Sequence, residues 1–427
     1  MKKRFTLAFA CLAISLLGPA PCSAQTFSGD AQLWVRGEIR DGALPAENGA
    51  DHAMFVMGNA RVRLDYASPW LEARFAPKYF GVWGASANGN LAIDEAWFTL
   101  KTQNGFFARL GRQRLSYDDQ RVMGADDWAM IAKTHDALKL GYEGRVHKVH
   151  LLLAFNQNNE NLNGGTHYVN GGQAYKSMTL LWYHADPLPW LGASLIGMNL
   201  GMQSMVTGED RSRYQQLFGT FVDFHPRNFS LQASYYRQAG EDEYAMPIHA
   251  WMASAEAAWK TSSKLSLQGG YFYMSGDPYY YVPLAGAIGM SRKTEIRGFD
   301  PVFGSHHKFY GAMDFFYVTA YYGGNTPGLQ DAHLGAKWSP TPKLDLLGSY
   351  HYLATCVTVD DLSRTLGHEL EFSLTWKLAP DVNLEAGYSF MQGTETMTRL
   401  KRTSENNRLN WAWLMIVVNP ELFRIHK

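Results

Sequence analysis

Residues 367–393 read GHELEFSLTWKLAPDVNLEAGYSFMQG. Glu369, Glu371, Ser373, Thr375 and Lys377 alternate with Leu370, Phe372, Leu374 and Trp376. After LAPD (378–381) the rhythm restarts, with Asn383, Glu385, Gly387 and Ser389 against Leu384, Ala386, Tyr388 and Phe390. A period of two predicts two strands, each with one polar and one apolar face. Two architectures accept such a hairpin. A soluble sandwich buries the apolar face and wets the charges, whereas a membrane barrel shows the apolar face to lipid and turns the charges into a lumen.

The same alternation recurs along the chain. It predicts strands at 31–40, 58–66, 70–78, 93–101, 106–113, 136–143, 148–156, 173–184, 190–201, 214–224, 229–238, 250–260, 264–274, 328–338, 343–353, 367–377, 382–392 and 408–418. Every second connection is short, as in TQNG (102–105), HPRN (225–228), TSS (261–263) and LAPD, and those between are long, up to the stretch 275–327. Short and long connections in strict alternation predict an all-β, transmembrane, up-and-down antiparallel β-barrel of about 18 strands. A Greek-key sandwich has no reason to gather its short turns at one end, and no repeat of 20–50 residues suggests a propeller or β-helix. Tyr66, Trp70, Phe98, Phe106, Trp190, Phe224, Phe229, Trp259, Trp338 and Trp376 all flank the short turns, where an interfacial aromatic girdle belongs. In the opening hairpin, Leu370, Phe372, Leu374 and Trp376 therefore face lipid.

The chain begins with Lys2, Lys3 and Arg4, an apolar run from Phe5 to Leu17, and small residues up to Ala24. Residues 1–24 read as a secretory signal peptide, leaving 25–427 as the barrel, with its long extracellular loop at 275–327. Basic and acidic residues balance at 39 each, which gives no polycationic character and excludes nucleic acid as a partner. Of three cysteines only Cys356 lies beyond the leader, so neither disulfides nor a cysteine metal cluster is expected. Beyond the leader no apolar run is long enough for a transmembrane helix. The expected location is the outer membrane of a Gram-negative bacterium, with membrane lipid as the surrounding partner.

Several stretches are similar to a known family. LGRQRLSYDDQRVMGADDWAMIAKTHDALKLGYE (110–143) resembles the strand end, loop and return strand of the alginate-export family of outer-membrane barrels. YFYMSGDP (271–278), GFDPVFGSHHKFYGAMDFF (298–316) and NNRLNWAWLMIVVNPELF (406–423) resemble its later landmarks. The resemblance implies an 18-stranded, porin-like barrel with a charged, arginine-containing lumen, in a family named for export of an acidic polysaccharide.

Parity gives the lumen its chemistry. Inward positions of the early strands carry Arg36, Arg61, Arg63, Arg74, Arg109 and Lys139, with Glu38, Asp65, Glu72 and Glu95 among them. Late strands turn Asp345, Glu369, Glu371 and Glu385 inward. One wall is basic and the other acidic, a transverse field that orients polar solutes. Arginine's planar fork suits carboxylates, so the basic residues form either an anion track or ladders with the neighbouring acids. In the long loop Tyr280, Phe309, Tyr310 and Phe315 are candidates to fold inward as a constriction. Asp118, Asp119, Asp126, Asp127 and His306–His307 match no metal-loop pattern and read as solvated loop charges.

The function expected is a channel, porin or exporter, for small polar or anionic solutes, including acidic oligosaccharide or polysaccharide such as alginate. It needs no cofactor and no metal, and it leaves room for a periplasmic export or uptake partner. Two alternatives stand beside it. One is a barrel enzyme of lipase or acyltransferase type, although no nucleophile, base and orienter can be placed. The other is a closed structural barrel. A plugged active receptor is set aside, since the first strand follows the leader too closely for a plug domain.

Overall fold

The computed structural model describes residues 25–41, 52–85, 89–125, 127–160, 162, 165–169, 171–277, 294–316, 326–401 and 407–426. The leader read at 1–24 lies outside them. The strands are β1 (Thr26–Arg40), β2 (Ala53–Ala67), β3 (Leu71–Val82), β4 (Asn90–Lys101), β5 (Phe106–Gln113) and β6 (His135–Glu143). They continue as β7 (His147–Phe155), β8 (Ser177–Leu188), β9 (Leu191–Gln203), β10 (Ser212–Phe224), β11 (Phe229–Gly240), β12 (Ala250–Lys260) and β13 (Leu265–Met274). The remainder are β14 (Leu329–Thr341), β15 (Leu344–Ala354), β16 (Thr365–Ala379), β17 (Val382–Gly393), β18 (Arg408–Val418) and β19 (Glu421–His426). One short helix, α1 (Glu395–Lys401), precedes β18.

Each of β1 to β18 pairs antiparallel with its sequence neighbours, and β18 closes the sheet on β1 from Leu33↔Val418 to Arg40↔Trp411. Closure satisfies the backbone of every spanning strand without a free edge, as a hydrocarbon surrounding demands. The 18 spanning strands coincide with the expected ones. The nineteenth is a continuation: Pro420 has no N–H to donate, the ladder breaks there, and β19 resumes along the first residues of β1 from Thr26↔His426. The Pro420 carbonyl still accepts from Ala31 N at 3.0 Å.

The two faces sort as parity requires. On β16, Leu370, Phe372 and Trp376 stand exposed on the outside, while Glu369 is only 1% exposed. Around the short turns Trp70, Phe98, Phe106, Trp190, Phe229, Trp259, Trp338 and Trp376 form an exposed belt of rings. Its members meet across strands, as in Phe229↔Trp259, and the T-shaped pair Trp190–Phe224 has its centroids 5.5 Å apart. An apolar band bounded by rings is the solvent match of a bilayer.

Inside, β7–β9 depart from the expected polar lining. Their inward residues Leu152, Met178, Leu180, Ile196, Met198 and Leu200 are apolar and fully buried, in one cluster with Met123, Phe303 and Tyr310. Those last three belong to loops at the end opposite the short turns that have folded into the barrel. The β5–β6 loop and the β13–β14 loop run together there: Phe303 N donates to Val122 O at 3.1 Å, Gly124 N to Phe303 O at 2.9 Å and Ser305 N to Gln120 O at 2.9 Å. Apolar side chains on both faces of β7–β9 thus meet lipid on one side and packed loop on the other.

Candidate functional site: the lumen and its constriction

The basic wall is laddered. Arg36 pairs with Glu38 at 2.8 Å, and its guanidinium lies 3.8 Å over the Trp128 ring. Arg63 pairs with Asp30 at 2.7 Å, and Lys101 with Glu72 at 2.6 Å. Arg74 bridges two acids, Asp65 at 2.7 Å and Glu95 at 3.1 Å. Cross-strand register sets these pairs, since Asp65 stands opposite Arg74 and Glu72 opposite Thr99, one step from Lys101.

Arg61 is the most enclosed member. It donates to Asp94 at 2.8 Å, to Asp127 at 3.0 Å and to Gln32 at 2.7 Å. Arg114 closes the group, 2.7 Å from Asp94 and 2.6 Å from Asp127. Simple parity hid Asp94, which follows Ile93 and precedes the inward Glu95. A bulge on β4 leaves Asp94 without a partner opposite Ala76–Pro77 of β3 and shifts the register, so Asp94 and Glu95 are both buried. Pro77 is the signal: a residue without an N–H inside a strand marks an interrupted ladder.

Arg109 and Lys139 differ from the rest. They stand directly opposite on β5 and β6. Arg109 donates to Thr99 at 2.7 Å, lies 3.8 Å over Trp97, and has Glu72 only at 3.9 Å. Lys139 sits 5.5 Å from the ring centres of both Phe107 and Tyr117, and among the described residues no carboxylate lies within ion-pair range.

The acidic wall is likewise engaged. Asp345 pairs with Lys337 at 3.1 Å, and Glu385 is half-buried on β17. Glu371 accepts from Ala312 N at 2.5 Å and Glu369 from Met313 N at 2.9 Å, so both carboxylates hold the β13–β14 loop inside the barrel. Gly311 makes that approach. Its φ is +85°, and a Cβ there would stand 2.3 Å from Glu369 Oε2.

Of the candidates for a constriction, Tyr310 and Phe315 are buried in the interior and Phe309 packs against the same cluster. Tyr280 lies outside the described residues. Tyr310 meets Phe272 edge-on at 4.8 Å, and burial pushes its hydroxyl up to about 12. Opposite, Arg121 of the β5–β6 loop is fully buried, 4.0 Å over Phe309 and 2.6 Å from Glu256. Beside these groups lies a cavity of about 320 Å³, lined by Arg121, Glu256, Phe272, Phe309, Tyr310, Asp331, His333, His351 and Glu371 among others.

The loop charges that read as solvated are in fact engaged. Asp118 accepts from Trp182 Nε1 at 2.9 Å, Asp119 from Tyr236 at 3.2 Å, and His307 stacks on Trp128 at 3.9 Å and pairs with Asp314 at 2.8 Å. His306 is half-buried, and the desolvation, with Lys133 nearby, pushes its imidazole down to about 3. Asp126 lies outside the described residues. The correction has one cause: these loops fold into the barrel, where a charge needs a partner. Arg114, Arg121, Glu256, His333 and His351 were not singled out from sequence, because the loops hid the first two and no pattern marks the others.

The comparisons fit this geometry. A family model described as alginate export matches residues 75–159, spanning β3 to β7 and the inward β5–β6 loop. No curated protein matches the chain in sequence. Among solved structures, OccAB2 of Acinetobacter baumannii is similar at 13% identity and a TM-score of 0.63, covering 93% of this chain and 98% of that one. OccK9 (OpdG) of Pseudomonas aeruginosa is similar at 12% identity and 0.62, with the same coverage. So is OccK2 (OpdF) of Pseudomonas aeruginosa, solved in complex with glucuronate, at 12% and 0.62. These likenesses are of fold, and the family model covers the wall from β3 to β7. The chain is an 18-stranded, closed antiparallel barrel with the fold of these channels, and its residues 75–159 match the alginate-export family model.

Proposed function

We propose that the barrel passes small anionic solutes of the sugar-acid class, with the β1–β6 wall as their track. The observation that carries this reading is the facing pair Arg109 and Lys139. Arg36, Arg61, Arg63 and Arg74 are each committed to a carboxylate within 3 Å, whereas Arg109 has Glu72 only at 3.9 Å and Lys139 has no carboxylate within ion-pair range among the described residues. Two adjacent cations with little neutralisation raise the local potential for an anion in a confined lumen. Arginine adds a fork suited to a carboxylate.

The alginate-export match and the glucuronate complex of a fold neighbour support the same solute class. The inward loops favour single sugar acids or short oligomers over a polymer.

Single-channel recording in planar bilayers tests the proposal, with glucuronate as added blocker. At about 4 Å in a water-like medium each cation contributes ~1 kcal/mol to a bound anion. The double variant Arg109→Ala, Lys139→Ala should therefore weaken block by roughly 30-fold. A pore that prefers cations, or ignores glucuronate, would sink the reading, and a silent one would favour the closed structural barrel.

A further inference from the structure

β14 and β15 carry a donor set that the anion track does not use. His333 and His351 stand directly opposite in the register, and Asp331 lies two residues before His333 on the same face. Both imidazoles turn Nδ1 toward one oxygen, Asp331 Oδ2: His351 at 2.8 Å and His333 at 3.5 Å. The rings lie 5.0 Å apart and nearly parallel, and one donor atom from each of the three residues lies within 4.8 Å of the others. Asp331 is 1% exposed, and its Oδ1 has no hydrogen-bond partner among the described residues.

The far side of each ring is already held. His333 Nε2 lies 2.7 Å from Glu256 Oε2, and His351 Nε2 lies 3.5 Å from Glu371 Oε1. All five side chains line the 320 Å³ cavity, where four carboxylates, counting Asp119, face Arg121 and Lys308.

We propose that Asp331, His333 and His351 bind a first-row transition-metal dication of the zinc type on the lumen wall beside the constriction. Two imidazoles and a carboxylate are zinc donors at 2.0–2.2 Å, which implies about 3.3 Å between ligand atoms in a tetrahedron. Small side-chain rotations close the present spacing to that value. The fourth position faces the cavity. Glu256 and Glu371 accept from the outer ring nitrogens and fix both tautomers, the arrangement that metal-bound histidines need. Nitrogen donors select against calcium and magnesium, which take oxygen. The site is independent of which solute passes the barrel, because binding is read without any current.

The test uses tag-free, full-length protein in detergent micelles, stripped with chelator and titrated calorimetrically with zinc sulfate in excess calcium. One zinc per barrel is expected, and His333→Gln or His351→Gln should each weaken it at least ~10–100-fold, the loss that even outer-shell changes cause. A cobalt-loaded native sample, which needs no variant to fold, should show the intense visible bands of a tetrahedral site. Zinc uptake equal in the native protein and H333Q/H351Q would overturn the assignment. So would displacement by calcium, or a cobalt spectrum of the octahedral aqua ion.

Discussion

Asp127→Asn should release the β5–β6 loop from the barrel wall without unfolding the barrel. Asp127 is the anchor of this loop on β2, beside the contacts of Asp118, Asp119 and Arg121 elsewhere: its carboxylate receives Arg61 at 3.0 Å from β2 and Arg114 at 2.6 Å from the loop's own start. Buried charge-assisted hydrogen bonds contribute about 1.5–3 kcal/mol each. Two considerations lower the total. The Asp127 side chain is 33% exposed, and both arginines keep Asp94, at 2.8 and 2.7 Å. Asparagine also retains one acceptor. A net loss of about 2 kcal/mol remains, which is roughly 30-fold in the ratio of held to released loop. Hydrogen exchange read by mass spectrometry measures it. The amides of Tyr117, Gln120, Gly124 and Phe303, bonded within and between the two inward loops, should exchange about 30-fold faster. Those of β8 and β9 should not change. Unaltered loop exchange, or equal acceleration throughout the strands, would refute the assignment of Asp127 as the anchor. Burial disfavours the charge on Asp127, but Arg114 and Arg61 outweigh it and hold the carboxyl below its ordinary range. A depressed carboxyl stabilises the fold above its unfolded pKa and loses that contribution only as pH falls through the lower, folded value. The anchor should therefore hold through neutral and mildly acid solution and fail only in strong acid.

Three further outcomes follow from other sites. Gly311→Ala places a methyl group against Glu369 Oε2 at a φ of +85°, so the β13–β14 loop should lose its seat at a cost of at least 1–2 kcal/mol, with conductance rising while heat-modifiable migration of the barrel stays native. Phe372→Lys puts a charge at the middle of β16 on the lipid face and should lower unfolding free energy in lipid by about 2–4 kcal/mol, whereas Ser373→Lys, turned to the lumen, should cost less. Burial pushes Lys401 of α1 down to about 7, with its Nζ donating to Phe315 O at 2.9 Å. Between about pH 7 and the ordinary lysine range the unfolded chain then holds the extra proton, so stability at α1 should rise with pH across that window, and Lys401→Met should abolish the dependence in proteolysis of the loop.

The lumen combines devices that a soluble protein keeps apart. Its basic arc is a ladder of paired charges, rigid and largely neutralised, with one gap at Arg109 and Lys139. Its other half holds a packed apolar core made by the long loops from the end opposite the short turns. Selectivity in such a barrel depends less on the number of inward charges than on which of them a neighbour leaves incompletely neutralised.

The strands were legible because their determinants are local. Alternation fixes the face of every side chain within a strand, and turn length fixes which end of the barrel it serves, so the 18 strands, the lipid face, the aromatic belt and the charged β1–β6 wall all followed from neighbouring residues. Even the closure of β18 on β1 was implied by an even strand count. Other features depended on contacts distant in sequence. Asp94 turned inward at a bulge in β4, opposite Pro77 of the neighbouring strand β3. Leu152, Met178 and Leu180 looked like ordinary strand residues, since an apolar position reads the same whether lipid or a folded loop covers it. Arg121 meets Glu256 across 135 residues, and Asp331, His333 and His351 come together through the pairing of two strands. Period and composition carry no record of where a long loop goes. That path is decided by charge pairing and burial inside the closed barrel, and it is these that shape the constriction.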